Sequence, residues 1–584
     1  MAWHARWVTL IGVIWLATAA WGVGAFAVVL YVDASATGTN KGSSWTNAYT
    51  DLKRALSAAE SGDEIYVAAG IYYPGTYETS TFYLCDGVAL YGGYPTGGGV
   101  RDVASNVTVL SGDLGGDDVV DINGVTITIN GTNAINVVKS RDDDETTILD
   151  GFTITGGDVL YEYGGGMYNE DSSPTITNCT FSGNHSSSGF RGGGMGNKNS
   201  SPTITNCTFS DNSAVSAGGG MCNTDNSSPT ITNCTFSNNS ADGSSRWGTW
   251  GYGGGMSNYH SSPTITNCTF SGNSSDRGGG MYNDNSSPTV RNTILWGDTA
   301  TYGGNEIYDS YDNTPIVEYC VVEGGYAGDT NIITDPLLGT LGDHGGPTKT
   351  IPLESGSSAI DAANATHAPS TDQRGEDRPQ GSACDIGAYE SPFSIQVPEM
   401  AVSGLNRTIA DGDTSPSSAD DTDFGLVAVS GSTNANTFTI TNTGDADLNL
   451  AGVTIGGAHA TDFTLTTDAA ATVTSGGGTT TFVVTFDPSV VGVRTATISI
   501  ANDDADENPY NFSLQGTGID KGDVDENGDI NVLDVRLCLQ IARGTITGTA
   551  VQRRQADIDG DGDVDLDDVR ILAEYIVGIR TTLP

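Results

Sequence analysis

Two acidic stretches near the end of the chain place oxygen-bearing side chains at alternate positions. They begin at Asp523 and Asp557, and each has glycine at its sixth position. A hard cation such as Ca²⁺ takes about 6 to 8 oxygen ligands, which a loop supplies from about positions 1, 3, 5, 7, 9 and 12, with glycine at position 6 for the turn. We predict two calcium sites, in which position 7 ligates through its backbone: Asp523, Asp525, Asn527, Asp529, Asn531 and Asp534 in the first, and Asp557, Asp559, Asp561, Asp563, Asp565 and Asp568 in the second.

Each loop runs into an amphipathic segment, with no obvious helix before it. Leu537 and Ile541 follow the first loop, and Ile571, Leu572 and Ile576 follow the second, at helical spacing. An acidic disordered tail would lack such apolar faces. We therefore expect two folded loop–helix units.

Position 12 is aspartate in both loops, where an ordinary EF-hand has glutamate. This departure and the duplication resemble dockerin, the module that docks onto cohesin domains. The resemblance implies two bound Ca²⁺ ions and a cohesin-like partner or scaffold. It also implies that partner choice lies in the pair after position 9, here Val532 and Leu533 in one copy and Leu566 and Asp567 in the other.

Between Gly164 and Leu295 nearly the same sequence motif is repeated five times. Each copy begins with G-G-G-M and continues with S-P-T-(I/V), and four copies go on as T-I-T-N-C-T-F. Alternation points Ile176, Cys179 and Phe181 inward if Asn178 makes a bend between two short strands. We expect Met167 to point inward and the residue after it outward. One copy is then one coil of a parallel β-helix, with like residues stacked at ~4.8 Å.

The G-G-G-M and F-S-G-N (Phe181 to Asn184) pair resembles the repeat signatures of polymorphic outer-membrane proteins, within the pectin-lyase-like right-handed β-helices. That wider group includes polysaccharide lyases and glycoside hydrolases. The segment from Asp51 to Ala59 has helical periodicity and is our candidate for the cap that a solenoid needs. The coils should then start near residue 60.

After the repeats, the stretches Asp335 to Thr348 and Asp372 to Glu390 resemble the terminal region of choice-of-anchor Q proteins. The second stretch carries five charged residues that could form a catalytic cluster or close the last coil, and we favour the structural role: Asp372, Arg374, Arg378, Asp385 and Glu390.

Residues 394 to 518 contain alternating strands separated by turn residues, which predicts an immunoglobulin-like β-sandwich. The segments Asn442 to Leu448 and Phe486 to Ser489 resemble choice-of-anchor D modules. The predicted fold class is therefore all-β: a right-handed parallel β-helix, then an immunoglobulin-like sandwich, then a small α-helical calcium-binding dockerin.

Composition limits the location and the partners. The net charge of −47 argues against nucleic acid and anionic membrane surfaces, since both need basic patches. Residues 1–27 fit a signal peptide with an A-x-A cleavage site, although an uncleaved membrane anchor is the alternative. We expect a secreted or cell-surface protein with a β-helix over 28–393, a sandwich over 394–518 and a dockerin over 519–584. The nine cysteines are expected to be buried free thiols rather than disulfides.

Both resemblances point to extracellular polysaccharide. One long insertion between Cys234 and Cys268 carries the predicted sugar contacts, Arg246, Trp247, Trp250 and Tyr252, because exposed aromatic rings make platforms for sugar rings. The alternative is that both tryptophans fold down and cover an apolar patch of their own coil. Tyr163, Arg191 and Arg277 precede glycine triplets on the same flank.

Three functions stay open: a polysaccharide-binding module, a glycoside hydrolase or polysaccharide lyase, and a structural adhesin. Catalytic residues are unknown. The densest acidic run of the solenoid, Asp142 to Glu145, reads better as a solvated loop.

Overall fold

A computed structural model describes residues 27–160, 163–187, 192–243, 249–311, 313–394, 396–429 and 431–584. The chain divides at residue 395 into two compact units. The predicted signal peptide, up to residue 26, lies outside the described residues. Within those residues, no helix combines the length and apolar character needed to cross a bilayer.

The first unit is a solenoid of four parallel sheets, which we name A, B, C and D and define below. Each repeated coil contributes one strand to sheets C, A, B and D, in that order along the chain. Sheet A has ten strands: Val29–Val32, Glu64–Ala68, Ala89–Tyr94, Ile148–Asp150, Thr175–Thr177, Thr203–Thr205, Thr230–Thr232, Thr264–Thr266, Thr289–Arg291 and Ile316–Glu318. Sheet B has nine: Gly70–Tyr72, Thr108–Ser111, Thr153–Thr155, Thr180–Ser182, Thr208–Ser210, Thr235–Ser237, Thr269–Ser271, Ile294–Trp296 and Val321–Val322.

Sheets C and D complete the coils. Sheet C has eight strands: Phe82–Tyr83, Val138–Arg141, Met167–Glu170, Met195–Lys198, Met221–Thr224, Met256–Tyr259, Met281–Asp284 and Ile307–Ser310. Sheet D has six: Asp158–Val159, His185–Ser186, Ser213–Ala214, Ser240–Ala241, Ser274–Ser275 and Thr299–Ala300. A short antiparallel pair, Val119–Val120 with Thr126–Thr128, projects from an early coil.

The core confirms the predicted inward set. Met167, Ile176, Cys179 and Phe181 are fully buried, and the equivalent residues of the next coils stack on them in register. The phenylalanine rings of Phe181, Phe209, Phe236 and Phe270 are parallel, with centroids 4.8, 4.7 and 4.5 Å apart. Asn178 has φ of 51°, the left-handed bend that asparagine tolerates well. Because one sequence repeat forms one coil, equivalent side chains of successive coils stack on one another.

The residue after each methionine was expected to point outward, and the structure places it outside the solenoid core, although other parts of the chain cover it. Tyr168, Cys222 and Tyr282 lie outside the core cluster but are buried. The chain before the glycine triplet covers this column; for example, Tyr163 stacks on Tyr168 at 5.5 Å. A β-carbon added to Gly164 would lie 2.7 Å from the backbone nitrogen of Gly196, so the close approach requires glycine.

The N-terminal cap forms as predicted. Helix α1 spans Leu52–Ala58, and the carboxylate of Asp51 caps it by accepting a hydrogen bond from the Lys53 amide. Leu52, Ala55 and Leu56 are buried in the solenoid core. The coils, however, begin before residue 60, because Val29–Val32 already pairs in parallel with Glu64–Ala68.

The terminal region does not close the last coil. It folds back along the outer face of sheet B and covers the outward threonine of three successive coils: the Thr208 hydroxyl donates to the Lys349 carbonyl (2.6 Å), the Thr235 hydroxyl donates to Gln373 Oε1 (2.7 Å), and the Thr269 hydroxyl accepts from the Ala388 amide (3.1 Å). We call residues 335–391 the strap. These hydrogen bonds hold the strap against sheet B, because each buried threonine needs a hydrogen-bond partner.

All nine cysteines are free thiols, and eight of them are buried. The backbone amide of Cys179 donates to Cys207 Sγ at 3.4 Å, and the same contact repeats in the next coils. Burial raises the pKa of these thiols well above the usual value. The prediction of buried, unpaired cysteines is confirmed.

The second unit begins with a sandwich of two five-stranded sheets around one core. One sheet contains, in spatial order, Arg407–Ile409, Met400–Gly404, Asn434–Asn442, Gly478–Phe486 and Phe463–Thr467. The other contains Asp423–Ala428, Tyr510–Ile519, Gly492–Asn502, Leu448–Gly456 and Thr472–Val473. Three helices follow: α2 (Val532–Ala542), α3 (Ala550–Ala556) and α4 (Leu566–Ile576).

Candidate functional sites

The first acidic loop gathers three carboxylates. Oxygens of Asp523, Asp525 and Asp534 lie within 4.8 Å of one another, and Asp523 and Asp534 are buried. The backbone amides of Asn527 and Gly528 donate to Asp523, while those of Asp525 and Asn531 donate to Asp534. Loss of water and the Asp534 charge raise the pKa of Asp525. Such crowded negative charge fits a hard cation, which would neutralise it.

The second loop repeats this geometry. Oxygens of Asp557, Asp559 and Asp568 converge within 4.8 Å, and Asp568 accepts from the amides of Ile558 (2.6 Å) and Asp565 (2.8 Å). Unlike the sequence expectation, a helix does precede this loop, since α3 ends at Ala556. Its capping box at Thr549 and Gln552 is the signal that could have found it.

The remaining predicted ligands lie along the same loops. Asn531 and Asp565, at position 9, are the N-caps of α2 and α4 and accept from the amides of Leu533 and Asp567. Asn527 and Asp561 accept from the amides of the residues at position 7, which are Asp529 and Asp563.

The predicted partner-binding residues occupy the first turns of α2 and α4. Val532, Leu533 and Leu566 are exposed although they are large and apolar. Asp567 is exposed as well and pairs with Arg570 at 3.2 Å. Below this surface lies a small buried core that contains the predicted Ile541, Ile571 and Leu572. The predicted Leu537 and Ile576 are only partly buried against it. The first turn after each acidic loop therefore exposes at least one large apolar residue.

The long insertion presents one aromatic cluster to solvent. Trp250 is 40% exposed and meets Tyr302, which is 56% exposed, edge to face at 4.5 Å. The guanidinium of Arg277 lies 5.3 Å from the Trp250 ring and 5.4 Å from the Tyr308 ring. Its Nε has no hydrogen-bond partner among the described residues. We call Trp250, Tyr302 and Arg277 the platform.

Sequence reasoning placed only part of this platform. Trp250 and Arg277 were predicted to share a flank, and the structure brings them together. Tyr252 instead packs sideways on Tyr282, with centroids 4.6 Å apart. Tyr302 was missed because it follows the strand Thr299–Ala300, two coils after the insertion. Arg246, Trp247 and Arg191 lie outside the described residues.

Two carboxylates line a cleft of about 300 Å³ beside the platform. Asp242 and Asp276 occupy equivalent positions of adjacent coils, because Ser240 pairs with Ser274 two residues earlier in each. Asp276 Oδ2 also accepts from the Gly251 amide at 2.8 Å, next to Trp250.

The charged residues of the strap are used in structure, as favoured above. The buried Arg378 donates to Glu390 (2.6 Å) and to the Gly387 carbonyl (2.8 Å), and Arg374 pairs with Asp372 at 2.7 Å. The Asp385 carboxylate accepts from two backbone amides, those of Asp361 and Ser391. Burial raises the pKa of Asp385 to about 7. These contacts join residues of the strap to one another and leave the charged cluster enclosed.

The acidic run from Asp142 to Glu145 forms a turn. The Ser140 hydroxyl donates to Asp143 Oδ2 at 2.6 Å, and burial raises the pKa of Asp143. Asp144 accepts from the Thr146 amide at 2.8 Å.

Three family descriptions match parts of the chain. "Right handed beta helix region" matches residues 113–293, "HYDIN/CFA65/VesB-like, Ig-like domain" matches residues 417–517, and "Dockerin type I domain" matches residues 521–577. No curated protein sequence matches significantly.

Several solved structures resemble parts of the fold. A protein of unknown function from Porphyromonas gingivalis W83 is 20% identical with a TM-score of 0.16; the match covers 21% of this chain and 49% of that one, so it spans about half of that protein. Pectate lyase Pel9A is 15% identical with a TM-score of 0.35, covering 63% and 98%. A PapD-like domain of human CEP192 is 15% identical with a TM-score of 0.14, covering 20% and 96%.

The parallel coils, the sandwich and the paired acidic loops agree with these family matches. The chain therefore combines a right-handed parallel β-helix, an immunoglobulin-like domain and a C-terminal type I dockerin, a calcium-binding module that implies a cohesin partner.

Proposed function

We propose that this protein is secreted, binds extracellular polysaccharide through the platform on its β-helix, and attaches to a cohesin-bearing scaffold through a dockerin loaded with two Ca²⁺ ions. The domains are then the β-helix over 28–393, the sandwich over 394–518 and the dockerin over 519–584. The exposed pair Trp250 and Tyr302 is the single observation that carries the binding function.

Three features support a sugar ligand at the platform. Large aromatic rings are costly to expose, and their flat faces pack on the C–H faces of sugar rings. Arg277 lies beside the Trp250 and Tyr308 rings, which favours a fixed orientation of the platform. Serine and threonine line the adjacent cleft with Asp242 and Asp276, and these groups can bond sugar hydroxyls.

The dockerin supplies the attachment. Each loop offers three converging carboxylates, and a bound Ca²⁺ would hold the loop against the first turn of its helix. The apolar residues Leu533 and Leu566 then face outward on ordered backbone, as a docking surface requires.

One observation favours hydrolysis as a second candidate function. A glycoside hydrolase needs two carboxyl groups flanking the scissile bond, about 5 to 9.5 Å apart. Asp242 and Asp276 lie on adjacent coils in the cleft beside the platform. In that case one would protonate the leaving oxygen and the other would act as nucleophile or base.

A binding assay with paired variants tests the platform. We expect Trp250→Ala with Tyr302→Ala to abolish retention on immobilised neutral polysaccharides while the melting temperature stays unchanged. Tyr77→Ala is the matched control, since Tyr77 is also an exposed tyrosine of the solenoid. Retention by the double variant, or a lowered melting temperature with retained binding, would reject the platform. Reducing-sugar release that disappears in Asp242→Asn and Asp276→Asn would establish the hydrolase.

A further inference from the structure

A second concave site lies on the outer face of sheet B, next to strap residues 341–349. The strap covers Thr208, Thr235 and Thr269, which are at most 1% exposed. Thr180 occupies the same column one coil earlier, and it is only partly buried. The strap therefore stops short and leaves the outer face of the earlier coils open.

The opposite wall comes from the early coils. Residues 103–108 and 121–127 line this wall, and the second of these segments includes part of the antiparallel pair Val119–Val120 with Thr126–Thr128. Between this wall and strap residues 341–349 lies a cleft of about 520 Å³. That volume is within the range of ligand pockets, ~300–1,000 Å³.

The cleft has a hydroxyl floor and charged walls. Thr153, Thr180 and Ser210 line the floor, and each hydroxyl can both donate and accept. Asp121 lies on one wall, and Asp343 and Lys349 lie on the strap. These groups add acceptors on two sides and one strong donor.

Asp211 stands out within its own column. The equivalent residues of the other coils are Gly183, Asn238, Gly272 and Gly297, so Asp211 alone brings a charge to this turn. Its φ of 54° is left-handed, as at Asn238 with 56°, so the carboxylate is held on a backbone that asparagine would also adopt. This carboxylate lines the cleft, together with Lys349.

Apolar groups complete the lining. Val103, Val125, Ile127, Leu341 and Pro347 face the same space. A sugar ring has hydroxyls at its edge and C–H groups on its faces, and both kinds of surface find partners here. Three carboxylates against one lysine disfavour a uronate, because a bound carboxylate would add like charge.

We propose that this cleft between residues 103–127 and the strap binds a neutral saccharide unit, at a site separate from the platform. The inference rests on the proposed function for its ligand class, and it narrows that class to uncharged sugars. The enclosed shape suits one or two sugar units, whereas the open platform suits a chain.

Calorimetric titration of the full-length calcium-loaded protein tests the cleft. The probes are neutral disaccharides, cellobiose, xylobiose, mannobiose and maltose, with digalacturonate as the acidic comparison. We expect at least one neutral probe to bind, digalacturonate not to bind, and Asp211→Asn and Lys349→Met each to weaken binding about tenfold, the loss of one hydrogen bond to a charged group.

Two controls keep the outcomes distinct. Asp225→Asn makes the same change at another exposed, left-handed aspartate of the solenoid, with φ of 56°, and should leave binding intact. Trp250→Ala should also leave disaccharide binding intact, although it removes polymer retention. The cleft proposal is overturned if no neutral disaccharide binds, if digalacturonate binds better, or if binding survives both cleft variants. Loss of disaccharide binding in Trp250→Ala would assign the sugar to the platform instead.

Discussion

The side-chain amide of Asn273 donates a 2.8 Å hydrogen bond to Asp298, and this contact ends a ladder that runs through the solenoid. Each amide nitrogen donates to the oxygen of the next coil, from Asn184 through Asn212 and Asn239 to Asn273. A second ladder ends in the same way, with Asn283 donating to Asp309 at 2.8 Å. Because the last amide needs only an acceptor, a carboxylate fits the end of each ladder.

Asp298 makes the stability of the solenoid depend on pH. It is 1% exposed beside Glu306, which is 4% exposed, and each has a carboxylate oxygen with no partner among the described residues. Burial raises the pKa of both groups, and the neighbouring Asp298 carboxylate raises the pKa of Glu306 further. The folded state then holds a proton that the unfolded chain releases above its ordinary pKa of about 4. The stabilisation is present at low pH and is lost as the pH rises through the raised pKa.

We therefore expect the free energy of unfolding of the solenoid to be roughly 1–3 kcal/mol greater at pH 5 than at pH 8. Asp298→Asn should reduce this dependence, of which Asp385 with its raised pKa keeps a part, and should stabilise the protein at pH 8, because asparagine continues the ladder and can donate to Glu306. Denaturant unfolding of both proteins at the two pH values measures the difference. An unchanged slope in Asp298→Asn would contradict the assignment.

Calcium removal should unfold the C-terminal module and leave the solenoid intact. Residues 519–584 hold 14 acidic and 7 basic residues, and the loops concentrate the acidic ones. Without cations, the converging carboxylates repel, and α2 and α4 lose their anchors. Circular dichroism of the full chain should show loss of helical signal on chelation, with the strand signal retained. A helical signal that stays unchanged after chelation would refute the predicted unfolding of the C-terminal module.

Single variants in the first loop refine that test. Asp534→Ala should weaken calcium binding by about tenfold or more, about 1.4 kcal/mol per factor of ten. Asp529→Ala is the control, since position 7 ligates through its backbone and the Asp529 side chain is exposed. Equal effects of the two substitutions would show that the loop binds the ion differently.

The exposed first turns of α2 and α4 should decide partner binding. Leu533→Asp with Leu566→Asp should abolish binding to a cohesin domain by burying charge in the interface, while calcium binding stays normal. Val577→Asp, at the exposed C-terminal end of α4, provides the control. Surface plasmon resonance against a cohesin panel measures this, and binding by the double variant would rule out both positions.

The coils were predictable because the constraints on Met167, Ile176, Cys179 and Phe181 repeat at short range. Alternation and the bend at Asn178 decide which side chains point inward. The calcium loops were predictable for the same reason, since all ligands of one site lie within one short loop. Such features depend on spacing along the chain, which the sequence displays directly.

The strap and the cleft were not predictable, because they join residues far apart in sequence. Thr208 meets Lys349, and Thr235 meets Gln373, across more than a hundred residues. Thr180 and Thr208 occupy equivalent positions of the sequence repeat, and they differ only because the strap covers Thr208 and leaves Thr180 partly exposed. The charge pattern from Asp372 to Glu390 indicated a structural role, but its expected location at the end of the last coil was wrong, because the strap lies along sheet B.

Gln373 should be the residue on which the strap depends most. It is fully buried: its amide nitrogen donates to Thr208 Oγ1 (2.9 Å) and to Thr348 Oγ1 (2.8 Å), and its oxygen accepts from Thr235 Oγ1 (2.7 Å). Gln373→Leu keeps the approximate volume but leaves the buried Thr235 hydroxyl without a partner and removes one hydrogen bond each from Thr208 and Thr348, at a cost of about 2–4 kcal/mol.

Denaturant unfolding and limited proteolysis of the strap measure the effect of Gln373→Leu. Gln380→Leu serves as the control, because Gln380 lies in the same segment and is exposed. Equal stability of the two variants would mean that the hydrogen bonds to the threonine column do not hold the strap. A selective loss in Gln373→Leu would show that the outward threonines of sheet B hold the strap, and with it one wall of the cleft.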